Sequence, residues 1–149
     1  MYTPHTVTLY NISVEVDKNT FEEKTVHYIT VLKGVFLDET KGVNVRASGL
    51  ESADAATLYI PFSVNAIDGI TGKSKRFVNP IEFIEAENKS DLWTLSVGSN
   101  SFFIKGIAVE PDKSVSVIEN THDKVFNITK VDEKDYGSKS MRHWEVGGA

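Results

Sequence analysis

The sequence predicts a mainly β protein, a small β-barrel or sandwich with a long inserted loop and one short α-helix. Residues 57–65 alternate between polar and apolar side chains, as a strand with one buried face does. Seven or eight short strands with turn signals at regular spacing are typical of a barrel or sandwich. Helical signals stand out at Asn79-Pro80, which predicts a single helix laid against a sheet.

The composition describes one folded domain over residues 1–149. Of the 149 residues, 40% are hydrophobic and 25% are charged, as in ordinary globular proteins. A chain of this length buries roughly two-thirds of its unfolded surface, so one core is sufficient. The chain has no cysteine, which excludes disulfides, thiol catalysis and thiolate zinc sites.

The charge pattern argues against ordinary nucleic-acid binding. The formal net charge is −5, and the basic residues are scattered apart from a small cluster at Lys73, Lys75 and Arg76. Binding through phosphates requires a concentrated basic face. No stretch approaches eighteen apolar residues and no signal peptide is recognisable, so we expect no membrane partner.

The N-terminal region predicts a long, bent hairpin. Apolar residues alternate as Val7 and Leu9, then change phase from Tyr10 to Val16, and a second change of phase follows between Tyr28 and Ile29. Residues 17–20 have turn composition. The two changes of phase predict a β-bulge in this hairpin.

A long polar segment predicts a flexible loop at about residues 41–56. It is rich in small and polar residues, and connections of this length in a compact domain are usually functional or disordered. A contact arm and a plain surface loop are both open at this point. The candidate polar contacts are Asn44, Arg46, Ser48, Gly49, Glu51 and Asp54.

The rest of the chain predicts one helix and several further strands. Pro61 lacks a backbone donor, so the strand at 57–65 is expected at a sheet edge or at a bulge. A helix is expected from Asn79 to Glu87, packed through Ile81, Ile84 and Phe83. The further strands are expected at 35–37, 102–109, 125–131 and 142–146, with a polar loop at 132–138.

The chemical motifs in the sequence point away from catalysis. Gly69-Ile70-Thr71-Gly72-Lys73-Ser74 ends like a phosphate-binding loop, but its glycines are too close together and no helix follows, so a hairpin turn is predicted. His143 and Glu145 share one strand face, where an acid–base pair or a solvated face is possible.

Other residues with possible chemistry have simpler explanations. The histidines are dispersed, and Asp132, Glu133 and Asp135 lack the regular ligand spacing of a calcium loop. Aromatic residues either pack in the core or form a stacking platform. They are Trp93, Phe102, Phe103 and Trp144. We therefore expect no catalytic, cofactor-binding or metal-binding residues, no cofactor and no enzymatic activity.

Four segments form a pattern that extends nearly from end to end. They are Gly34-Val35-Phe36-Leu37, Leu58-Tyr59-Ile60-Pro61-Phe62, Phe103-Ile104-Lys105-Gly106, and 131–148 with its DYG and HWEVGG sequences. This pattern resembles small proteins encoded in the structural-gene clusters of phages and prophages of Gram-positive bacteria. Among these, β-barrel proteins with a long inserted loop are similar to the head-closure, or stopper, proteins of long-tailed phages.

The resemblance implies a virion structural protein that is made in the bacterial host cytoplasm. It would form a homo-oligomeric ring between the portal-adaptor complex and the tail, and help to retain packaged DNA. An acidic subunit lets DNA pass without specific binding. The loop at 41–56 would then act as a plug or contact arm. Lys73, Lys75 and Arg76 would contact an acidic neighbouring subunit, although solvated turn charges explain them equally well.

Three other functions remain open at this point. A tail terminator or minor tail protein would use the same kinds of surface. A ligand-binding β module requires exposed aromatic residues instead of buried tryptophans. A hydrolase requires ionisable side chains that converge in a pocket.

Overall fold

The computed structural model describes residues 2–39 and 56–149. Strands dominate these residues, and two short α-helices and one 3-10 turn accompany them. In chain order the elements are β1 His5–Val16, β2 Glu23–Glu39, β3 Ala56–Pro61, β4 Asn65–Asp68, β5 Arg76–Phe77, α1 Pro80–Glu85, β6 Leu92–Trp93, β7 Gly98–Lys105, α2 Val115–Thr121, β8 Val125–Lys134, the 3-10 turn Lys139–Met141, and β9 His143–Gly148.

Six strands close into a barrel, which confirms the predicted fold class. Their order is β1, β7, β8, β9, β3 and β2, and β1 pairs with β2 to complete the ring. All of these pairs are antiparallel. β4 occupies the edge of β2 beside β3, and β5 and β6 form a small parallel pair. Closure pairs both edges of every barrel strand.

The barrel is filled by side chains. Its large apolar residues are fully or nearly fully buried, as expected for a small barrel whose interior holds only its own side chains. They form one cluster, which includes Leu9, Leu32, Leu58, Ile60, Trp93, Phe103 and Trp144. The face of β3 that carries Leu58 and Ile60 was correctly predicted from its alternation.

The change of apolar phase in β1 has a cause other than a bulge. Val7 and Leu9 face the interior, whereas Tyr10 lies in a second cluster on the outside of the barrel. Both faces of the strand are covered, so both phases are apolar. The register shift of the hairpin lies instead near its other end, where His5 pairs with Val35 and Thr6 pairs with Lys33, which leaves Gly34 unpaired.

Residues 107–122 cover the apolar cluster on the outside of the barrel. The sequence analysis did not predict this covering segment. Its helix α2 begins after Ser114, whose hydroxyl accepts a hydrogen bond from the Val117 N–H. Ile118 is fully buried against the outer cluster. Side-chain contacts on the surface hold this segment together. His122 and Lys113 contact Glu110 at 2.8 and 3.0 Å, and they lower the pKa of its carboxyl group.

Helix α1 confirms the predicted helix but reverses its predicted packing. Asn79 occupies the N-cap position and Pro80 begins the helix, although the Asn79 side chain makes no capping hydrogen bond. Phe83 is buried, whereas Ile81 and Ile84 are 72% and 71% exposed. A helix of six residues has only one narrow inward face, and the ring of Phe83 fills it.

Several predicted strand boundaries were also wrong. β3 pairs with both β2 and β9, so it is an interior strand, and Pro61 is tolerated as its last residue. Residues 35–37 continue β2, and 132–134 continue β8 instead of forming a loop. β7 ends at Lys105, before Gly106 turns the chain with a φ of 84°.

Candidate interaction surfaces

The predicted loop contacts lie outside the described residues. This applies to Asn44, Arg46, Ser48, Gly49, Glu51 and Asp54. The two ends of their segment are defined, because Glu39 of β2 pairs directly with Ala56 of β3. Glu39 contacts Lys124 and Lys105 at 2.9 and 3.0 Å, and these ammonium groups lower the pKa of its carboxyl group. Residues 39 and 56 therefore lie side by side in the barrel.

Lys75 does not fit the prediction of a subunit contact. Its side chain is 1% exposed, and its ammonium lies 3.2 Å from Asp68 and donates to the Ile29 carbonyl at 3.1 Å. Burial lowers the pKa of Lys75, and Asp68 opposes that shift. Lys75 therefore links the turn at 68–75 to β2 through a buried hydrogen bond, because Ile29 belongs to β2.

The turn at 68–75 is held by the carboxylate of Asp68. One of its oxygens accepts the N–H groups of Ile70 and Thr71, at 3.0 and 2.7 Å. Burial raises the pKa of Asp68, but these hydrogen bonds and Lys75 outweigh it and lower the pKa overall. Ser74 bridges back to Ile67, so the phosphate-loop-like sequence is a hairpin turn, as predicted.

Lys73 and Arg76 remain exposed. Arg76 reaches Glu82 of α1 at 3.8 Å, which joins the turn to the helix. Ile70 of the turn is exposed, as are the two isoleucines of α1. We call this group the turn–helix surface: Ile70, Lys73, Arg76, Ile81 and Ile84. It combines exposed aliphatic side chains with two basic residues, whose charge the exposed Glu82 and Glu85 of α1 balance.

The outer half of the first hairpin projects beyond its neighbours. β7 pairs with β1 only up to Asn11, and β4 pairs with β2 only from Thr30 onward. Residues 12–27, which we call the ribbon, therefore pair only with one another among the described residues. Its exposed apolar residues are Val14, Val16 and Phe21.

Phe21 at the tip of the ribbon is unusual in two ways. It is 81% exposed, and its φ of 58° lies in the left-handed region that bulky residues avoid. Its N–H donates to the Asp17 carbonyl, and the Asp17 N–H donates to the Glu22 carbonyl, which closes the tip. The sequence analysis treated this region only as a turn. Its one signal was an aromatic residue directly after turn residues.

A row of aromatic rings crosses four strands of the barrel. Neighbouring ring centroids are 5.6 to 6.3 Å apart, and two of the contacts are stacked. We call this group the aromatic row: Tyr2, His5, Phe36, Tyr59 and His143. The rings after Tyr2 are half-buried. The sequence analysis missed the row because its members are far apart in the chain.

The tryptophans do not form a stacking platform. Trp93 and Trp144 are 2% and 6% exposed and pack edge to face in the interior, with ring centroids 5.4 Å apart. Phe102 and Phe103 are buried as well. Their burial argues against a ligand-binding module built on these residues.

His143 and Glu145 share one face of β9, as predicted, and their side chains are in contact. His143 Nε2 lies 3.1 Å from Glu145, and Nδ1 lies 2.7 Å from the Met141 carbonyl oxygen. Both ring nitrogens therefore already contact protein oxygen atoms. Among the acidic residues at 132–135, Asp132 contacts Lys130 and Asp135 contacts Arg142. These arrangements are surface contacts on and beside strands.

Within residues 2–39 and 56–149, no group of three or more histidine or acidic side chains is arranged to hold a metal ion. No helix in the same ranges is long and apolar enough to span a membrane.

The structure defines a small, filled β-barrel with a projecting ribbon. The sequence matches a family of unknown function, DUF6751, over residues 2–149, and the chain belongs to this family. No curated protein and no solved structure was found to match it.

Proposed function

We propose that this protein is a virion structural subunit, a head–tail connector of the head-closure type, that acts through protein contacts and not through catalysis. The observation that carries the proposal is the distribution of apolar side chains. The interior is filled, yet further large apolar residues stand exposed on the ribbon, on the turn–helix surface and at the N-terminal end of the aromatic row. Exposed apolar groups of this kind are typical of interaction sites.

From the resemblance to phage head-closure proteins we infer which partners these surfaces contact. A ring subunit needs one kind of contact with its own copies and another with the rings above and below it. We assign the aromatic row to the second kind of contact, with the portal-adaptor complex or the tail. Its half-buried rings are already ordered by one another, so little conformational entropy is lost when a partner covers them.

The net charge of −5 suits a subunit beside packaged DNA. Like charges repel the phosphate backbone, so DNA slides past without specific binding. The expected location of the protein is the virion, after synthesis in the bacterial cytoplasm.

The proposal is tested by a stop codon early in the gene, placed in an inducible prophage that carries it. We expect DNA-poor heads separated from tails, and rescue by the wild-type gene supplied in trans. Intact, infectious particles would show that the protein is no connector. Filled heads with tails of abnormal length would favour a tail terminator instead, as would a gene position beyond the tail-tube gene.

The role of the aromatic row is tested in the same rescue assay. Tyr59→Ser should reduce rescue at least tenfold, whereas Tyr136→Ser, at an exposed position on another loop, should rescue normally. Equal rescue by both variants, with Tyr59→Ser folded by circular dichroism, would remove the row from the contact.

A further inference from the structure

The base of the ribbon is attached to the rest of the protein on both of its faces. On one face Tyr28 packs edge-on against Phe83 of α1, with ring centroids 5.9 Å apart. On the other face His27 packs edge-on against Tyr10, also with ring centroids 5.9 Å apart. His27 pairs with Ile12, which packs against the outer cluster. The second of these attachments therefore depends on a histidine.

Tyr10 connects this histidine to the covering segment 107–122. The Tyr10 side chain is fully buried, and its hydroxyl makes hydrogen bonds to Ala108 and Glu110 of that segment. If the ring of His27 leaves its place, one side of Tyr10 loses its cover. The ribbon base and the covering segment therefore meet at the contact between His27 and Tyr10.

The Nδ1 atom of His27 is buried and has no hydrogen-bonding partner in the described part of the chain. A neutral imidazole carries a proton on one nitrogen only, whereas the charged ring carries a proton on each. The neutral ring can keep its proton on Nε2, so that the buried Nδ1 has nothing to donate. Protonation places an N–H group at Nδ1 without an acceptor, and an unsatisfied buried donor is costly. The neutral ring therefore fits this site and the charged ring does not.

The titratable groups on the neighbouring elements are either neutral or already engaged. Tyr10 of β1 stays neutral, because burial raises its pKa. On the covering segment Glu110 already contacts Lys113 and His122. The remaining charged residues of that segment are exposed, and they are Asp112 and Glu119.

Charges near His27 on the other side are matched or distant. At the edge of β2 the Lys75 ammonium donates to the Ile29 carbonyl and is paired with Asp68. Glu23 shares the face of His27 but lies four residues along the strand, about 13 Å away. Burial alone lowers the pKa of His27 below its ordinary value of 6.5. The surroundings of this ring therefore disfavour its charged form.

We propose that His27 makes the attachment of the ribbon sensitive to acid. Near neutral pH the uncharged ring packs against Tyr10 and the ribbon base is firmly held. In acid the charged ring moves out toward water, and residues 12–27 become more mobile. The exposed apolar side chains that the ribbon carries then change position relative to the barrel. This regulation is a property of the fold and does not depend on the connector function proposed above.

Protonation favours the open ribbon because the closed arrangement binds the proton more weakly than the open one. The attachment is fully present above the ordinary histidine pKa of 6.5 and weakens as the pH falls below that value. The weakening is complete below the pKa of the closed form. A difference of one pKa unit between the two forms corresponds to about a tenfold change in the opening equilibrium.

Amide hydrogen exchange of the purified protein measures this opening. Protection factors, corrected for the intrinsic exchange rate, are compared at about pH 5 and about pH 7.5 for the amides of 12–16 and 23–27. We expect at least threefold lower protection of these amides at the lower pH. The amides of β3 are the internal control, and their protection should change by less, because they report on opening of the barrel itself.

The variant His27→Phe isolates the contribution of this histidine. It keeps an aromatic ring against Tyr10 and removes the titration, so the ribbon should be equally protected at both pH values. The control is His143→Phe, which makes the same substitution on β9 and should keep the wild-type response. Ribbon protection that is independent of pH in the wild type, or that falls equally in His27→Phe, would overturn the proposal.

Nitrogen-15 NMR of the histidine rings tests the same proposal in the wild type. Near neutral pH the His27 ring should carry its proton on Nε2, and it should titrate at a lower pH than in the urea-unfolded chain. A proton on Nδ1, or the same titration midpoint in both states, would contradict the proposed cause. These measurements use purified protein, so they can fail or succeed whatever the gene contributes to joining heads and tails.

Discussion

The hydroxyl of Tyr10 donates a hydrogen bond to the carbonyl oxygen of Ala108 at 2.6 Å. It also accepts one from the Glu110 N–H at 2.9 Å. This one side chain ties β1 to the segment 107–122, which covers the outside of the barrel. The outer layer is therefore held by specific polar contacts as well as by the apolar cluster around Ile118.

Removal of the Tyr10 hydroxyl should weaken this attachment. Tyr10→Phe keeps the buried ring and leaves the Glu110 N–H without this partner, which typically costs about 1–3 kcal/mol. Urea unfolding should show this loss in the free energy of unfolding. Tyr136→Phe changes an exposed tyrosine and should stay within about 0.5 kcal/mol of the wild type. Equal midpoints for both variants would show that the hydroxyl is dispensable.

A buried amide joins β1 to the segment after β6. Asn11 donates to the Thr94 carbonyl and to the Ser101 hydroxyl, and its own side-chain oxygen accepts the Thr94 N–H. Asn11→Ala should destabilise the protein by about 3 kcal/mol, because several buried polar groups lose their partner together. Thermal and urea unfolding measure this. Asn19→Ala, in the exposed ribbon turn, is the control, and a similar small loss for both would contradict the prediction.

Gly148 of β9 has no room for a side chain. A Cβ atom there would lie 2.9 Å from atoms of Phe103 and Phe126, inside the barrel wall. Gly148→Ala should therefore cost about 1–3 kcal/mol through overpacking. Ala149→Val, at the exposed next residue, should be nearly neutral in the same unfolding measurement. An unchanged Gly148→Ala variant would mean that the Phe103 ring and the Cβ atom of Phe126 give way without cost.

The turn at Asp68 should make stability fall in acid. Its pKa in the folded protein is lower than its ordinary value of 3.8, so folding favours the charged form. This contribution is present above the unfolded pKa and is lost as the pH falls through the folded pKa. Between pH 5 and pH 2.5, Asp68→Asn should lose less unfolding free energy than the wild type does.

The control for the acid experiment is Asp112→Asn, which changes an exposed carboxylate. Its pH dependence should follow that of the wild type. If Asp68→Asn also follows the wild type, the turn does not contribute to acid unfolding. At neutral pH, Asp68→Asn should itself be destabilised, because it leaves the buried Lys75 ammonium without its carboxylate.

Local patterns predicted the fold class because the side chains of a strand alternate with a period of two residues, which a short stretch of sequence already shows. The alternation at Leu58 and Ile60 identified the inner face of β3, and Asn79-Pro80 located the start of α1. The same local reasoning failed for β1, where apolar residues on both faces looked like a slip of register. A strand covered on both sides has no single polar face, so its periodicity is lost.

The candidate surfaces depended on contacts between distant parts of the chain. The members of the aromatic row come from the N-terminal segment and from four strands, and Lys75 looks like any surface lysine until Asp68 and Ile29 surround it. The sequence by itself determined that this chain folds as a β protein, because side-chain periodicity follows directly from backbone geometry. Only the tertiary structure decided which apolar and charged groups remain outside, because exposure depends on what covers a residue, and that cover comes from elsewhere in the chain.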